Sequence, residues 1–217
     1  MAPKTKNNLG EMSSAELQAL ISAAVSAAVN PLLEKLDKIQ TELEDLQAEV
    51  KLKNDEIRKL KEEMTVKLDE REQYSRRNNL RIFGVPESDN ENTDELVIDV
   101  AKKMGVQLSE SSIDRSHRIG KKGLQPRPII VKLVRYNTRA DLFRAKRNLK
   151  GSGLTVREDL TKLRLNLLKS AVEAYSTQSV WTSDGIIMVK IPHLRHPFRV
   201  IDDSSFKMLL ARHPPEQ

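Results

Sequence analysis

The chain contains no cysteine, which excludes disulfides, thiolate metal sites and thiol nucleophiles. Aromatic residues make up only 4% of its 217 residues, too few for one large core, so a long helix with small cores is expected. Glycine is also scarce, and no glycine-rich phosphate loop followed by Lys-Ser/Thr occurs. No uninterrupted run of about 18 apolar residues is present, which predicts that nothing crosses a membrane. The opening residues, MAPKTKNNLGEMSS, lack the apolar centre of a secretory leader. The cytosol or nucleus is therefore the expected location.

Charge is abundant but unevenly placed. The whole chain carries a net +6, yet up to Ser75 there are 11 Lys+Arg against 15 Asp+Glu. From 111 to 150 there are 12 bases and only two acids, Asp114 and Asp141. Such a concentrated excess creates a local positive potential, and the partner it fits is a polyanion.

The segment from Ser13 reads as a helix opened by a capping box, Ser13 with Glu16, and ending near Asn30. Pro31 would then start a second helix. From there a 4-3 apolar pattern runs through Leu36, Ile39, Leu43, Leu46, Val50, Ile57, Leu60 and Met64. With Leu36 at position a, Glu42, Glu49, Glu56 and Glu63 fall at g, and Glu56 faces Lys61 of a neighbouring chain. This is the pattern of a coiled coil about 60 Å long. Val50 and Ile57 at a with Leu46 and Leu60 at d favour two strands, whereas Leu36 and Leu43 at a with Ile39 at d favour three. Lys53 and Lys67 at d, and Arg71 at a, weaken its C-terminal half.

Past Ser75 the period shortens. NLRIFGVP is a strand; TDELVIDVAKKMG is a helix capped by Thr93 and stopped by Gly105; SSIDRSHRIG and PRPIIVKLV contain two further strands. NTRADLFRAKRNLKG is a helix capped by Asn137, and Leu154–Val156 a last strand. The order β-α-β-β-α-β is that of the ferredoxin-like split βαβ fold shared by RRM domains. A smaller α/β unit follows. It has an amphipathic helix (Leu163, Leu167, Val172 and Tyr175 inward), a hairpin turning at Ser183-Asp184-Gly185, another strand and a closing helix capped by Asp203 or Ser204. The fold class is thus α+β, with 1–30 an N-terminal segment, 31–75 a coiled coil, 76–157 an RRM-like domain and 158–217 a C-terminal domain.

The stretch SRRNNLRIFGVPES directly after a coiled coil resembles the junction in the nucleic-acid chaperones encoded by the first open reading frame of LINE-type retrotransposons. PRPIIVKLV, LFRAKRN and the hairpin followed by FRVIDD are similar to later segments of that family, in the same order. The resemblance implies a non-catalytic homotrimer without cofactor. It implies binding of single-stranded RNA and DNA, packaging of its own RNA into cytoplasmic or nuclear ribonucleoprotein particles, and strand remodelling during reverse transcription. It further implies contacts to nucleic acid from Arg76, Arg77, Arg81, Arg115, Arg118, Lys121, Lys122, Arg127, Lys132, Arg139, Arg144, Arg147, Arg164 and Arg199. The third strand, Ile129-Ile130-Val131-Lys132-Leu133, lacks the aromatics with which ordinary RRMs stack bases, and the first offers only Phe83.

Other chemistry has less behind it. His193 and His196 fall in a proline-bearing turn, and Asp184, Asp202 and Asp203 read as turn and cap residues, so neither group is expected to hold a metal. Trp181 is expected to pack in a core or between domains. The alternative class is a coiled-coil adaptor whose basic domains bind acidic protein surfaces, and co-purification with RNA that is sensitive to nuclease separates the two.

Overall fold

The computed structural model describes residues 13–215 and is mixed α+β, a long N-terminal helix followed by antiparallel sheets and helices. Helix α1 spans Ser14–Ser75. Its start is tied by the expected reciprocal pair: the Ser13 N–H donates to Glu16 Oε2 at 2.9 Å and the Glu16 N–H to Ser13 Oγ at 3.4 Å.

One expectation for this helix is not met. It does not break at Asn30 and Pro31 but runs through them. Pro31 removes one backbone donor and crowds the preceding turn. Ala23, Ala24, Ala27 and Ala28 before it, and Leu32 to Lys35 after it, are mostly strong helix formers that carry the helix across. Near the N-terminus of α1, moreover, lies a stretch long and apolar enough to cross a membrane by length and composition alone. Gln18, Ser22, Ser26 and Asn30 interrupt the apolar run in sequence but recur every four residues, so they gather on one face. Leu36, Ile39, Leu43, Leu46, Val50, Ile57, Leu60 and Met64 are all exposed in the single chain, between 48% and 63%.

The chain divides after Glu62, and the last turns of α1 belong to the same compact unit as both sheets. The first sheet is built from β1 (Asn79–Phe83), β2 (Ile113–Arg118), β3 (Ile129–Leu133) and β4 (Thr155–Glu158) in the order β2-β3-β1-β4, all antiparallel. Helices α2 (Thr93–Lys103) and α3 (Tyr136–Ala145) connect them, the latter continued by a 3-10 turn over Lys146–Leu149. Alternation along the strands sends Leu80, Ile82, Ile129, Val131, Leu133 and Val156 inward against Val97, Val100, Ala101, Met104 and Leu142. Gly84 closes β1 at φ +85°, and a Cβ there would lie 2.2 Å from the Gly153 carbonyl oxygen, so only glycine fits.

Local boundaries differ from the sequence reading. The N-cap of α2 is Asn92, whose side chain accepts from the Asp94 and Glu95 N–H groups, not Thr93. Helix α3 begins at Tyr136 after Arg135, with no side-chain cap, so Asn137 already lies inside it. Strand β4 runs two residues further than expected, to Glu158.

The second sheet contains β5 (Val180–Ser183), β6 (Ile186–Val189) and β7 (Phe198–Val200) in that order. Asp184 and Gly185 form a two-residue turn with φ of 50° and 76°, the paired left-handed conformations of a tight hairpin. One face packs on α4 (Lys162–Tyr175) and α5 (Asp203–Arg212), with Leu167, Ala171, Ile187, Val189, Val200 and Leu209 buried. Asp202, not Asp203 or Ser204, caps α5, in a capping box with Ser205.

A buried polar joint ties the end of α1 to both sheets. Asp69 and Gln73 are the buried residues of α1 among those described. Asp69 accepts from the Thr161 hydroxyl and, at 2.7 Å, from Arg164 Nε; Arg164 Nη1 donates to the Gly185 carbonyl at 3.0 Å. Gln73 donates to the Asp159 carbonyl and accepts from the Thr161 N–H, both at 3.0 Å. Glu158 holds Arg139 and accepts from the Gly185 N–H at 3.2 Å, while Asp184 accepts from the Tyr136 hydroxyl at 2.6 Å, which raises that phenol's pKa. Each of these residues is hydrogen-bonded, the condition under which buried polar groups are tolerated, and Arg139 Nε is the one side-chain donor among them left without a partner.

Candidate nucleic-acid interface

The basic residues singled out from sequence fall into three groups. Arg118, Arg139 and Arg164 are interior. The Arg118 side chain is 4% exposed, donates through Nε to Glu91 at 2.6 Å, and also reaches the carbonyls of Val85, Pro86 and Arg127. It fastens the loop after β1. Arg139 is buried against Glu158 and also reaches Asp184 at 3.3 Å; Arg164 is held by Asp69. Carboxylates and carbonyls inside the protein hold these three guanidinium groups, Arg139 Nε alone lacking a partner, so they are structural positions and not the phosphate contacts expected from sequence. Burial forces this, because an arginine out of water must find a carboxylate.

A second group is half-committed. Arg76 and Arg81 share the buried Asp159 carboxylate, at 3.1 Å and 2.6 Å, with Arg76 also reaching Glu72. Arg127 is gripped by Glu87 through both its side chain and its backbone N–H; these bonds hold the Glu87 carboxyl at a pKa of about 2. Lys132 donates to Asp114 at 2.9 Å and lowers its pKa, Lys122 lies 3.3 Å from Asp89, and Arg144 lies 3.2 Å from Asp141. Arg115 approaches Asp114 only to 3.9 Å.

The third group has no carboxylate partner among the described residues: Arg77, Lys121, Arg147 and Arg199. Arg77 lies over the Tyr74 ring at 3.8 Å, just past the end of α1.

Register shows which cations share a surface. On the open face of the first sheet, Arg115 stands beside Lys132 and Asn79, and His117 beside Ile130, Arg81 and Arg157. Phe83 pairs with Thr155 there, and Arg157 approaches its ring to 5.3 Å. On the open face of the second sheet, Trp181, Met188 and Arg199 form one cross-strand row.

Beside Arg157, the edge strand β4 and the edge strand β5 border a groove of about 740 Å³. Its charged lining is Lys146, Arg147, Lys150, Arg157 and Lys169, all exposed, with no acid among them and none in an ion pair. Leu165, Leu168, Val172 and Trp181 supply apolar walls. Lys146 sits 3.6 Å from the centroid of the Phe143 ring, and burial lowers its pKa. Of these cations the sequence reading named only Arg147. Lys146 and Lys150 flank it in KRNLKG, a signal that was available; Arg157 and Lys169 are lone bases in strand and helix, and only the fold joins them. Of the two positions expected for Trp181, a core or a place between domains, the core is not found: it is 40% exposed on the outer face of β5, bordering the groove beside β4.

No protein-family model matches this chain, and no curated protein is similar to it.

Proposed function

We propose that the protein is a non-catalytic, single-stranded RNA- and DNA-binding protein and nucleic-acid chaperone of the LINE-type retrotransposon kind, assembled through a coiled coil. The observation that carries the binding reading is the groove between β4 and β5, five unpaired cations without an acid. A groove of one sign of charge concentrates a polyanion and favours phosphate over carboxylate-bearing surfaces by repeated contact. Arg77, Lys121 and the cationic open face of the first sheet extend the positive surface beyond it.

The strand order β2-β3-β1-β4 with helices after β1 and β3 is the arrangement expected of an RRM-like domain, which supports that reading of the fold. The open face departs from base-reading RRMs in offering Ile130 and Lys132 where aromatics stack, so contacts there are to phosphate and insensitive to sequence. The exposed heptad stripe of α1 supports self-association, with a homotrimer as the expected stoichiometry. Several weak, salt-sensitive grips on one stalk add up to tight binding that still exchanges locally, which annealing and strand transfer require.

The test is fluorescence anisotropy of a labelled single strand with the wild type and with Lys150→Glu/Arg157→Glu/Lys169→Glu. Loss of three phosphate contacts should reduce the slope of log affinity against log salt by about 2. An unchanged affinity and slope would remove the groove from the binding surface. Co-purification with acidic proteins but not RNA would favour the adaptor reading instead.

A further inference from the structure

Trp181 is the one tryptophan in the chain, and the fold does not use it as core. On the second sheet the inner rows, Val180–Val189–Phe198 and Thr182–Ile187–Val200, pack on α4 and α5. Trp181 lies in the outer row, beside Met188 and Arg199. Its indole is 40% exposed while lining the cationic groove. Leaving part of so large an apolar ring in contact with water has a cost.

The other large exposed aromatics are already engaged. Tyr74 is covered by Arg77, and the Tyr136 hydroxyl is bonded to Asp184. Phe83, on the first sheet, has Arg157 beside it. Among the described residues no cation lies over the Trp181 ring, and the part of it that is exposed borders the groove, where a planar group can reach it. Cations on both sides of it, Arg157 and Lys169 in the groove and Arg199 along its own row, are placed to take the phosphates that such a group would bring.

We infer that Trp181 is a base-stacking platform on which the unpaired bases of a single strand lie while its phosphates contact Arg157, Lys169 and Arg199. This rests on the reading of the groove as a nucleic-acid site and adds what charge alone does not supply: preference for exposed bases over paired ones. A duplex hides its base faces and presents only phosphate to the groove. A chaperone that stacks unpaired bases holds strands open long enough to find a better partner.

Because the chain has a single tryptophan, its intrinsic fluorescence reads the site directly in the full-length protein. Three probes are titrated at fixed salt: an oligothymidylate, an abasic strand of the same length, and inorganic polyphosphate. The oligothymidylate should quench the emission to saturation and bind about tenfold or more tighter than the abasic strand. The abasic strand and polyphosphate should bind, measured by competition with labelled oligothymidylate, without quenching. Trp181→Phe should keep most of the preference for bases, and Trp181→Ala should lose it, bringing the oligothymidylate and the abasic strand to about equal affinity.

Equal affinity of the wild type for the oligothymidylate and the abasic strand would overturn the inference and leave the electrostatic reading standing. Failure of all three probes to bind would remove that reading as well. Polyglutamate is titrated as a control polyanion, and quenching by it but not by the oligothymidylate would assign the groove to an acidic peptide and overturn both. The comparison of bases with abasic sites uses the wild type, so it holds even if Trp181→Ala does not fold.

Discussion

Asp69 and Arg164 lie 95 positions apart and meet through a 2.7 Å hydrogen bond from Arg164 Nε, both side chains 7% exposed. The pair joins the end of the long helix to α4, and Arg164 passes the connection on to Gly185 in the hairpin turn. Removing one member strands a charge away from water. Asp69→Ala should therefore destabilise the protein by about 3–5 kcal/mol. Asp69→Ala combined with Arg164→Met should recover much of that loss. Urea unfolding followed by Trp181 emission measures both, and a double variant no more stable than the single one would contradict the account.

The Glu87–Arg127 contact makes a prediction about acid. Bonds from the Arg127 side chain and backbone hold the Glu87 pKa at about 2, well below the 4.5 of a free glutamate. A carboxyl whose pKa is depressed on folding contributes stability that is complete above its unfolded value and is lost as pH falls through its folded value. The stability difference between wild type and Glu87→Gln should be constant above about pH 4.5 and close as pH falls toward about 2. Denaturant midpoints collected across that window test it. Glu91, lowered by Arg118, acts in the same direction.

Arg118 and Arg77 should separate stability from binding. Arg118→Ala leaves Glu91 and three carbonyls without their donor, so it should lower the melting temperature clearly. Arg77→Ala removes only a surface contact with Tyr74, about 0.5–1 kcal/mol. It should leave the melting temperature almost unchanged and weaken single-strand binding across sequences. Thermal melts beside anisotropy titrations give the two readouts, and a reversed pattern would reassign both residues.

Gly185 tests the hairpin turn. Its φ of 76° strains any other residue, and a Cβ would come within 2.7 Å of the Gln73 side chain. Gly185→Ala should destabilise by more than about 1 kcal/mol through backbone conformation and crowding together. Adding Gln73→Ala should relieve the crowding but not the backbone strain. A double-mutant cycle in denaturant would give a non-zero coupling between them.

Assembly through α1 predicts that Leu46→Glu with Val50→Glu reduces the mass measured by light scattering to that of one chain. Affinity for a long strand should then fall by about 10²-fold or more, while affinity for a strand covering one groove stays within a few-fold. Equal losses for long and short strands would show that avidity contributes nothing.

Much of this molecule could be read from residue order because its signals are local. Strand alternation in IIVKL, the amphipathic run of α2 and the Asp184-Gly185 turn each depend on neighbours in sequence. Position within helices is harder: Pro31 reads as a boundary by the rule for a single residue, yet the alanines around it carry the helix through. The site was legible only as a surplus of charge. Sequence spacing shows that arginines are many, but not which find a carboxylate. Arg118 and Arg164 looked like Arg147 until the fold brought Glu91 and Asp69 to them. Lys169 gave no sign at all, since its companions Lys150 and Arg157 reach it only across the space between two edge strands.

The heptad register carries a last consequence. Counted from Leu36, the buried Asp69 and Gln73 occupy f and c, whereas Met64, Arg71 and Tyr74 occupy a, a and d and remain exposed. The last turns of the helix thus dock the domain with their back and leave their front exposed. The self-association proposed above would draw on a different side of the helix from the one that completes the subunit, so neither would have to wait for, or undo, the other.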